Sequence, residues 1–510
     1  MNHLPFVDLL VIFIYLLSMV LVGVYFSRKN KSTAQFTTAS GSIPGWALGL
    51  SLYATFLSSN TFLGVPGKAF GGNWNAFVFS LSMPLAAIIA ARYFVPFYRS
   101  SGEVSAYTHL EHRFGAWART YAMVCFILTQ LARMGSIFFG VALALQALTG
   151  LDMKTIMLVT GACIIVYTVL GGMEAVIWTE VIQGLVKTAG ALIILGIIIF
   201  EMKDGAADIF RIGAADNKFA LGSFALTDLS TSTFWVVFLY GFFINLNNFG
   251  MDQNYVQRYH AARSEKEASR SIWLCVYWYV PVSLAFFFIG TALYAYFQQQ
   301  PELLMAVKQQ VATERNVPVS SLAPADYGDK ILPYFMVTKV PKGLVGLIIA
   351  AILSAAMSTV SSGMNSSATV FLKDIYQRYF NPNPGPKKEM RILYITTTLT
   401  GVLAIVFGMA MIGVKSVLDI WWELSGIFAG GMLGLFLLGI VSKANNTEAV
   451  TATLIGIVVI LWMSLSKYFP AGWERLKSPM HVNMIIVVGT LSIFLAGMML
   501  TRLKRLVVRT

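Results

Sequence analysis

Long apolar stretches separated by short polar or basic segments run along the whole chain. A helix needs about 20 residues to cross a bilayer, and thirteen of these stretches are near that length or longer. The predicted spans cover residues 5–26, 44–70, 74–98, 117–149, 154–172, 178–201, 232–250, 270–298, 342–372, 390–413, 417–442, 448–466 and 481–501. The pattern therefore predicts an all-α integral membrane protein with about 13 transmembrane helices.

Polar residues interrupt two of these spans. The second span contains the run Ser-Ser-Asn-Thr at residues 58–61, and the seventh contains three asparagines within residues 240–250. An unpaired polar group in hydrocarbon costs several kcal/mol, so both runs must face protein, water or a ligand. Interrupted helices at matching positions of two repeats indicate a binding site near the middle of the membrane.

The two interrupted spans lie five spans apart and run in opposite directions, which is the pattern of an inverted repeat. We therefore predict a five-plus-five inverted-repeat core with flanking helices. This divides the chain into an N-terminal flanking helix at residues 1–30, a first repeat of five helices at 40–201, a second repeat of five helices at 202–442, and two C-terminal flanking helices at 443–510.

Composition excludes an ordinary soluble domain. Hydrophobic residues make up 57% of the chain and charged residues 12%, against about 25% charged in soluble domains. The formal net charge of +13 does not indicate nucleic-acid binding, because the basic residues form short clusters between apolar runs. Their distribution places the N-terminus outside and the C-terminus in the cytoplasm. One cluster, Arg258, Arg263, Lys266 and Arg270, is predicted to lie in a cytoplasmic loop.

A second polar cluster lies at residues 355–367, inside an apolar span. Ala355, Ser358, Thr359 and Ser362 are spaced i, i+3, i+4, i+7 and share one helix face, with Ser361 beside it. Hydroxyl and carbonyl oxygens suit a hard alkali cation, whereas small residues also allow close helix packing. The interrupted second span favours the sodium site over packing alone.

Three charged residues inside the spans indicate function. Arg133 must face a cavity or a partner, and its planar fork suits a substrate carboxylate; a structural ion pair is the alternative. Glu180 is either solvated at the membrane boundary or turned inward to hold a cation or a proton. Lys187 lies two turns further along the same helix face, where it could pair with Glu180. The segment 252–259 is predicted to open a cytoplasmic loop.

Four motifs in order, ATFLSSNTF (54–62), GGMEAVIWTEVIQG (171–184), DQNYVQRY (252–259) and AAMSTVSSGMNSS (355–367), resemble the sodium:solute symporter family. Within that family the chain looks most similar to the bacterial sialic acid:sodium symporters. The residues that carry this likeness are Arg133 in its local setting, the segment IPGWALGLS (43–51) and the run PGKAF (66–70).

The resemblance implies two sodium sites. The main site is formed by the following residues: Ala54 and Leu57, through their carbonyls, with Ala355, Ser358 and Thr359. The second site is formed by Glu180, Ser358, Ser361 and Ser362. The related proteins lead us to expect aspartate where this chain has Glu180, and Lys187 follows it, so a lysine ammonium could replace the second ion.

The resemblance also implies that Arg133 holds the substrate carboxylate, with Ser58 and Thr61 nearby. Phe56 and Ser80 stand where related transporters have threonine and glutamine, and they make the preferred sugar acid an open question. Asn245, in the interrupted seventh span, completes the predicted substrate-binding set.

Together these features predict a sodium-coupled secondary active symporter, with Na⁺ as the coupling ion, that imports sialic acid (N-acetylneuraminic acid) by alternating access. We expect a monomer in the lipid bilayer of a bacterial plasma (inner) membrane. The alternatives are a sodium symporter for another carboxylate, sugar or amino acid, a passive channel, and a membrane-embedded enzyme. The sequence has no histidine–carboxylate cluster or nucleophile–base spacing to support an enzyme.

Overall fold

The computed structural model describes residues 4–413, 417–470 and 472–507. Over these residues the chain is α-helical with short connections, and it contains no β-strand beyond one isolated bridge between Ile43 and Ala262. The all-α membrane architecture predicted from the apolar pattern is confirmed.

Ten helices make up the first half of the chain. In order they are α1 (Phe6–Ser27), α2 (Thr33–Thr38), α3 (Gly45–Phe56), α4 (Ser59–Gly71), α5 (Val78–Ile89), α6 (Val95–Ser101), α7 (Thr108–Phe114), α8 (Ala116–Thr149), α9 (Met153–Glu201) and α10 (Ala206–Ala215). A π-helical turn, Ala90–Phe94, joins α5 to α6.

Ten more helices follow. They are α11 (Phe234–Met251), α12 (Gln253–Ala261), α13 (Glu265–Gln299), α14 (Pro301–Arg315), α15 (Pro324–Lys339), α16 (Leu344–Val370), α17 (Pro386–Ala410), α18 (Val417–Val441), α19 (Asn446–Leu465) and α20 (Met484–Val507). A π-helical segment, Phe371–Phe380, continues α16.

Eleven helices in the described ranges are long and apolar enough to cross a membrane. Two features lower this number below the thirteen spans predicted from sequence. The 49-residue α9 contains a non-helical glycine, Gly172, at the junction of two predicted spans. The pair α3 and α4 covers another predicted span, but each helix is short, with 12 and 13 residues. The count of thirteen stays a prediction.

The second predicted span is broken, as its polar run indicated. Helix α3 ends at Phe56, and the next two residues leave the helical conformation, with φ/ψ of −84°/89° at Leu57 and −93°/175° at Ser58. Helix α4 then starts at Ser59. The break lies in the interior, because Leu57 is buried and Ser58 is nearly so.

The seventh predicted span, residues 232–250, is not interrupted at its asparagines as predicted, and the break follows just after the span ends. Helix α11 runs without interruption through Asn245 to Met251, and the chain leaves the helical conformation at Asp252 (φ −78°, ψ 117°). The Asp252 carboxylate then caps α12 by accepting a hydrogen bond from the Asn254 backbone N–H at 2.8 Å. The prediction of a cytoplasmic loop at 252–259 is therefore wrong: these residues form a buried helix.

The two broken helices occupy equivalent positions in the chain. Each begins a series of five helical crossings, the first ending with α9 and the second with α18. The core is therefore a five-plus-five inverted repeat, flanked by α1 and by α19 and α20. Helix α16 packs along α9 and α3, and α13 packs along α3 and α4, so the first broken helix lies between elements of the second repeat. The predicted domain boundaries stay a prediction.

The bend within α9 depends on a glycine. Gly172 has φ +60° and ψ −159°, a conformation that residues with a Cβ rarely adopt. A Cβ there would lie 3.0 Å from side-chain atoms of Asn30 and from Cα of Phe36. Both the backbone conformation and the space around it therefore require glycine.

We expect Gly172→Ala to destabilise the protein by about 1–3 kcal/mol, the usual cost of such backbone strain. Gly196→Ala is the matched control, because it lies in the same helix and nothing lies within 4 Å of its added Cβ. The measurement is the temperature at which heating reduces the monodisperse elution peak of the purified protein to half. Equal midpoints for the two variants would contradict the assigned role of Gly172.

Candidate functional site

The break between α3 and α4 presents backbone carbonyls to cationic side chains. A broken helix leaves carbonyl oxygens without their usual intrahelical partners. Lys187 donates to the carbonyls of Ala54 and Leu57, and Arg133 donates from Nη2 to the carbonyl of Thr55 at 3.0 Å. Two basic residues from two other helices therefore stabilise the unwound segment.

Lys187 lies at the predicted main sodium site. Its Nζ is 2.6 Å from the Ala54 carbonyl, 2.7 Å from the Leu57 carbonyl and 2.9 Å from Ser358 Oγ. The side chain comes from the middle of α9 and is fully buried. The ammonium group therefore occupies the position among the oxygens that sequence analysis assigned to the ion.

The other residues of this site lie where the sequence predicted. Ser358 Oγ is 3.0 Å from the Ala54 carbonyl, and Thr359 Oγ1 donates to the Thr55 carbonyl at 3.3 Å. Both hydroxyls are also 3.4 Å from the carbonyl of Ala355, within α16. The serine-rich face of α16 and the unwound segment therefore meet, as the resemblance implied.

The Arg258 guanidinium lies at the predicted second sodium site. Its Nη2 lies 2.9 and 2.7 Å from the two carboxylate oxygens of Glu180, and its Nε donates to Ser51 Oγ at 2.9 Å. The hydroxyls of Ser51 and Ser362 also hydrogen-bond the carboxylate. Ser361 donates within its own helix, to the Ser358 carbonyl at 3.3 Å. The guanidinium is therefore the cation beside Glu180.

Three expectations about these charges need correction. Arg258 does not lie in a cytoplasmic loop: it is 1% exposed, because α12 packs inside the protein and Glu180 compensates its charge. Glu180 is fully buried and is not solvated at the membrane boundary. Lys187 does not replace an ion at the second site, since its ammonium donates to the main-site oxygens.

Arg258 was missed because the sequence analysis assigned its segment to a loop. A signal was present, since the buried carboxylate of Glu180 needs a cationic partner when it is taken out of water. The break at Asp252, which turns α12 back into the core, is a tertiary feature with no clear mark in the sequence.

A cavity lies beside the unwound segment and contains most of the predicted substrate residues. Its lining includes the predicted Phe56, Ser58, Thr61, Ser80 and Arg133. Other polar and aromatic residues complete the wall: Asn60, Asn248, Tyr279, Ser283, Trp421 and Trp422. The structure thus brings together five residues that are separated by up to 77 positions in sequence.

Asn245 lies apart from this lining. Its side-chain amide donates to Ser82 Oγ at 3.3 Å and lies 3.5 Å from the Phe79 carbonyl, both on α5. Helix α11 stays regular at this point, so Asn245 packs against α5 and Asn248, nearly one turn later, lines the cavity. The polar residue of α11 that lines the cavity is therefore Asn248.

Arg133 is fixed by three neighbours at the edge of the cavity. In addition to the Thr55 carbonyl, its Nη1 lies 3.7 Å from Asp252 Oδ2, and its Cζ lies 5.6 Å from the centroid of a Trp421 ring. An arginine has five N–H donors, and the contacts with Thr55 and Asp252 involve its two terminal nitrogens. Asp252 is thus the structural ion-pair partner, at a loose distance, and the guanidinium remains part of the cavity wall.

Aromatic rings surround the cavity at Phe56. The ring centroid of Phe56 lies 5.6 Å from that of Phe249, 4.8 Å from that of Tyr255 and 5.4 Å from that of Tyr279. Ser80 Oγ lies 2.8 Å from Ser283 Oγ on α13. The two departures from related transporters, Phe56 and Ser80, are therefore both packed into the cavity wall.

The protein is closed on the α12 side of this cavity. Tyr107 donates to the Met251 carbonyl at 3.1 Å, and Tyr259 donates to the Phe249 carbonyl at 2.8 Å. Gln257 hydrogen-bonds Asn365 on α16 at 2.8 Å. These buried contacts join α12 to α16 and hold the second broken-helix region closed on the α12 side.

On the opposite side the cavity adjoins a second depression. The two share Ala76 and Trp422, and the second depression extends to the segments 72–75, 232 and 481–483. The cavity that contains Arg133 and this depression therefore meet at Ala76 and Trp422.

Comparison with protein families matches residues 36–456 to the sodium:solute symporter family. The chain is 34% identical over 497 residues to a sodium/sialic acid symporter of Proteus mirabilis, covering 96% of this chain and 94% of that protein. It is 33% identical over 492 residues to a sodium/sialic acid symporter of Aliivibrio fischeri, covering 95% and 91%. The resemblance drawn from the four motifs is confirmed.

A solved structure shows the same architecture. It is described as the substrate-bound outward-open state of a Na⁺-coupled sialic acid symporter. The two folds agree with a TM-score of 0.86 at 32% sequence identity, covering 98% of both chains.

The buried pair Glu180–Arg258 makes a prediction about stability. Removing one partner of a buried ion pair leaves an uncompensated charge, which costs about 3–5 kcal/mol. We therefore expect Arg258→Met to lower the unfolding midpoint strongly, and Glu180→Gln/Arg258→Met together to recover part of the loss. Tryptophan fluorescence during heating of the purified protein measures both.

Lys339→Ala is the control for this pair. Lys339 lies 3.1 Å from Glu201, and both side chains are about one-third exposed, so the loss should stay below about 1 kcal/mol. A midpoint for Arg258→Met equal to that of Lys339→Ala would mean that the buried pair does not stabilise the fold.

Proposed function

We propose that this chain, which belongs to the sodium:solute symporter family, imports a sialic acid together with sodium by alternating access. The observation that carries the proposal is the position of Arg133 in a cavity beside a broken helix, with Ser58 and Thr61 in the same wall. Two relatives that match the chain over nearly its whole length are sodium/sialic acid symporters. The protein is a transporter and not an enzyme.

In the proposed complex the substrate carboxylate binds to the Arg133 guanidinium. A planar guanidinium can donate two parallel hydrogen bonds to a carboxylate, and Asp252, at 3.7 Å, leaves the pair with Arg133 loose. The hydroxyls of Ser58, Thr61 and Ser80 would then bind hydroxyl or amide groups of the sugar. Aromatic rings such as Tyr279 would pack against its less polar face.

Sodium supplies the driving force in this proposal. A cation that moves inward gains about 2.3 kcal/mol per charge for each 100 mV of membrane potential, in addition to its concentration gradient. Coupling requires that sodium and substrate both bind better to the same conformation. The predicted sodium oxygens lie on the unwound segment and on α16, whereas the substrate cavity lies on the other side of the same segment.

We propose that the accessible side of the cavity is the outside of the cell. The basic clusters place the N-terminus outside and the C-terminus in the cytoplasm, and with that orientation the sealed α12 side faces inward. The protein would then function as a monomer in the lipid bilayer of the bacterial inner membrane, with sialic acid arriving through the second depression.

A different carboxylate is the second candidate substrate. The observation that favours it is the replacement of two expected polar groups by Phe56 and Ser80. Phe56 packs among three aromatic rings, and Ser80 lies 2.8 Å from Ser283 Oγ. A smaller or less polar carboxylate would still bind Arg133.

We expect proteoliposomes that contain the protein to accumulate labelled N-acetylneuraminic acid with sodium outside and not with potassium outside. Sodium-dependent accumulation of another carboxylate, but not of this sugar, would favour the second candidate substrate. Equal uptake in both salts would contradict sodium coupling. Liposomes without protein provide the background.

We expect Arg133→Ala to weaken substrate binding roughly 10- to 100-fold, because a hydrogen-bonded charge pair contributes about 1.5–3 kcal/mol. The affinity of Arg133→Lys should lie between those of the unchanged protein and Arg133→Ala, since lysine keeps the positive charge but lacks the planar guanidinium. Arg391→Ala, at an exposed position near the start of α17, is the control. Competition by unlabelled substrate at equilibrium gives the affinities, and an unchanged value for Arg133→Ala would exclude carboxylate binding by this residue.

A further inference from the structure

Lys187 donates to three of the five residues of the predicted main sodium site. The oxygens are chemically suitable for sodium, since carbonyl and hydroxyl groups are the ligands of a hard cation. Yet Ala54 O, Leu57 O and Ser358 Oγ all lie within 2.9 Å of the lysine nitrogen. As arranged here, these residues do not fit a sodium ion together with the lysine.

We propose that the Lys187 ammonium and a sodium ion are alternative occupants of this one site, so that each excludes the other. This inference concerns the coupling ion of the function proposed above. It makes Lys187 the residue that decides whether sodium can bind at the main site.

The hydrogen bonding of Lys187 is complete in this position. An ammonium group has three N–H donors, and three oxygens accept them, at 2.6, 2.7 and 2.9 Å. The side chain is fully buried. A buried ammonium group needs hydrogen-bond acceptors in place of water. The three oxygens supply them, so the site is suited to the charged form of the lysine.

Among the residues that the structure describes, no carboxylate forms an ion pair with the lysine. The titratable group nearest to it along its own helix is Glu180, and that carboxylate pairs with Arg258 from α12. From α3, Tyr53 approaches α9 through a hydrogen bond to Thr188, at 2.5 Å. From α8, Arg133 donates to the Thr55 carbonyl in the last turn of α3, next to the unwound segment. The positive charge of Lys187 is therefore stabilised by carbonyl and hydroxyl dipoles, which is also how the site would stabilise a metal ion.

Two cations cannot share this site. A sodium ion bound to the same oxygens would lie in close contact with the lysine nitrogen, and two like charges at that distance repel strongly in a buried environment. The neighbouring position at Glu180 offers no alternative, because the Arg258 guanidinium already binds both carboxylate oxygens. Sodium can enter the main site only when Lys187 leaves it.

The lysine also makes the connection that an ion would make. Its three contacts join the C-terminal end of α3 and the unwound Leu57 to Ser358 on α16. These elements belong to different predicted repeats. An ammonium fixed to α9 would therefore hold the broken helix and α16 together in the absence of sodium.

The test is binding of radioactive ²²Na⁺ to the purified full-length protein in detergent, without substrate. We expect Lys187→Ala to bind sodium with roughly tenfold higher affinity than the unchanged protein, or more, because the competing positive charge is removed. Lys187→Arg keeps the charge and should not show this gain. The second readout is the unfolding temperature, because a ligand that binds the folded state raises it. Sodium, and not potassium, should raise the unfolding temperature of Lys187→Ala.

Lys218→Met is the matched control. Lys218 is also a buried lysine whose Nζ donates to two backbone carbonyls, those of Phe70 at 2.7 Å and Gly72 at 2.9 Å, but it lies outside the site. Its replacement should leave sodium affinity unchanged. Ser358→Ala added to Lys187→Ala should reverse the gain, because it removes an oxygen of the same site. If Lys187→Ala proves unstable, Lys187→Met, which keeps the length of the side chain, takes its place.

The outcomes separate this inference from the proposed function. Sodium-dependent uptake with the same sodium affinity in the unchanged protein and in Lys187→Ala would overturn the inference and leave the function standing. A gain that survives Ser358→Ala would also overturn it. Sodium-independent uptake by the unchanged protein, together with sodium binding gained by Lys187→Ala, would support the shared site and overturn the sodium part of the proposed function.

Discussion

The unwound segment between α3 and α4 depends on positive charge from other helices. Its carbonyls would be costly in the interior without donors, and Lys187 and Arg133 supply those donors from α9 and α8. One face of the segment meets α16 and the other faces the cavity. The same few residues would therefore connect the proposed cation site with the proposed substrate site, which is how two ligands could be coupled in one transporter.

Charge compensation shapes the neighbouring interior as well. The Glu180 carboxylate, the Arg258 guanidinium and the hydroxyls of Ser51 and Ser362 form a buried network that joins α9, α12, α3 and α16. Such a network satisfies its members only in one arrangement of these helices. It ties the second broken helix to the first on the sealed side, so opening that side requires a rearrangement of this network or of the contacts around it.

Much of the architecture followed from one-dimensional patterns. The apolar runs predicted the membrane helices, and the polar run at 58–61 marked a real break. The spacing of Ala355, Ser358 and Thr359 predicted the face of α16 that meets this break. These features were predictable because helical periodicity and the cost of unpaired polar groups in hydrocarbon act locally. Asn245 lies outside the cavity lining, since an asparagine inside a buried helix can hydrogen-bond to a neighbouring helix.

The sequence by itself determined the family, the helical class and the broken helix of the first repeat. The six substrate-binding residues stay a prediction, although five of them line one cavity. Only the tertiary structure decided which cation lies at which oxygen. Arg258 reaches Glu180 across 78 positions, and Lys187 reaches Ala54 across 133. A charged side chain finds its partner by the packing of distant helices, and that packing leaves no periodic signal along the chain. The sequence could therefore list the charges of the site but not pair them.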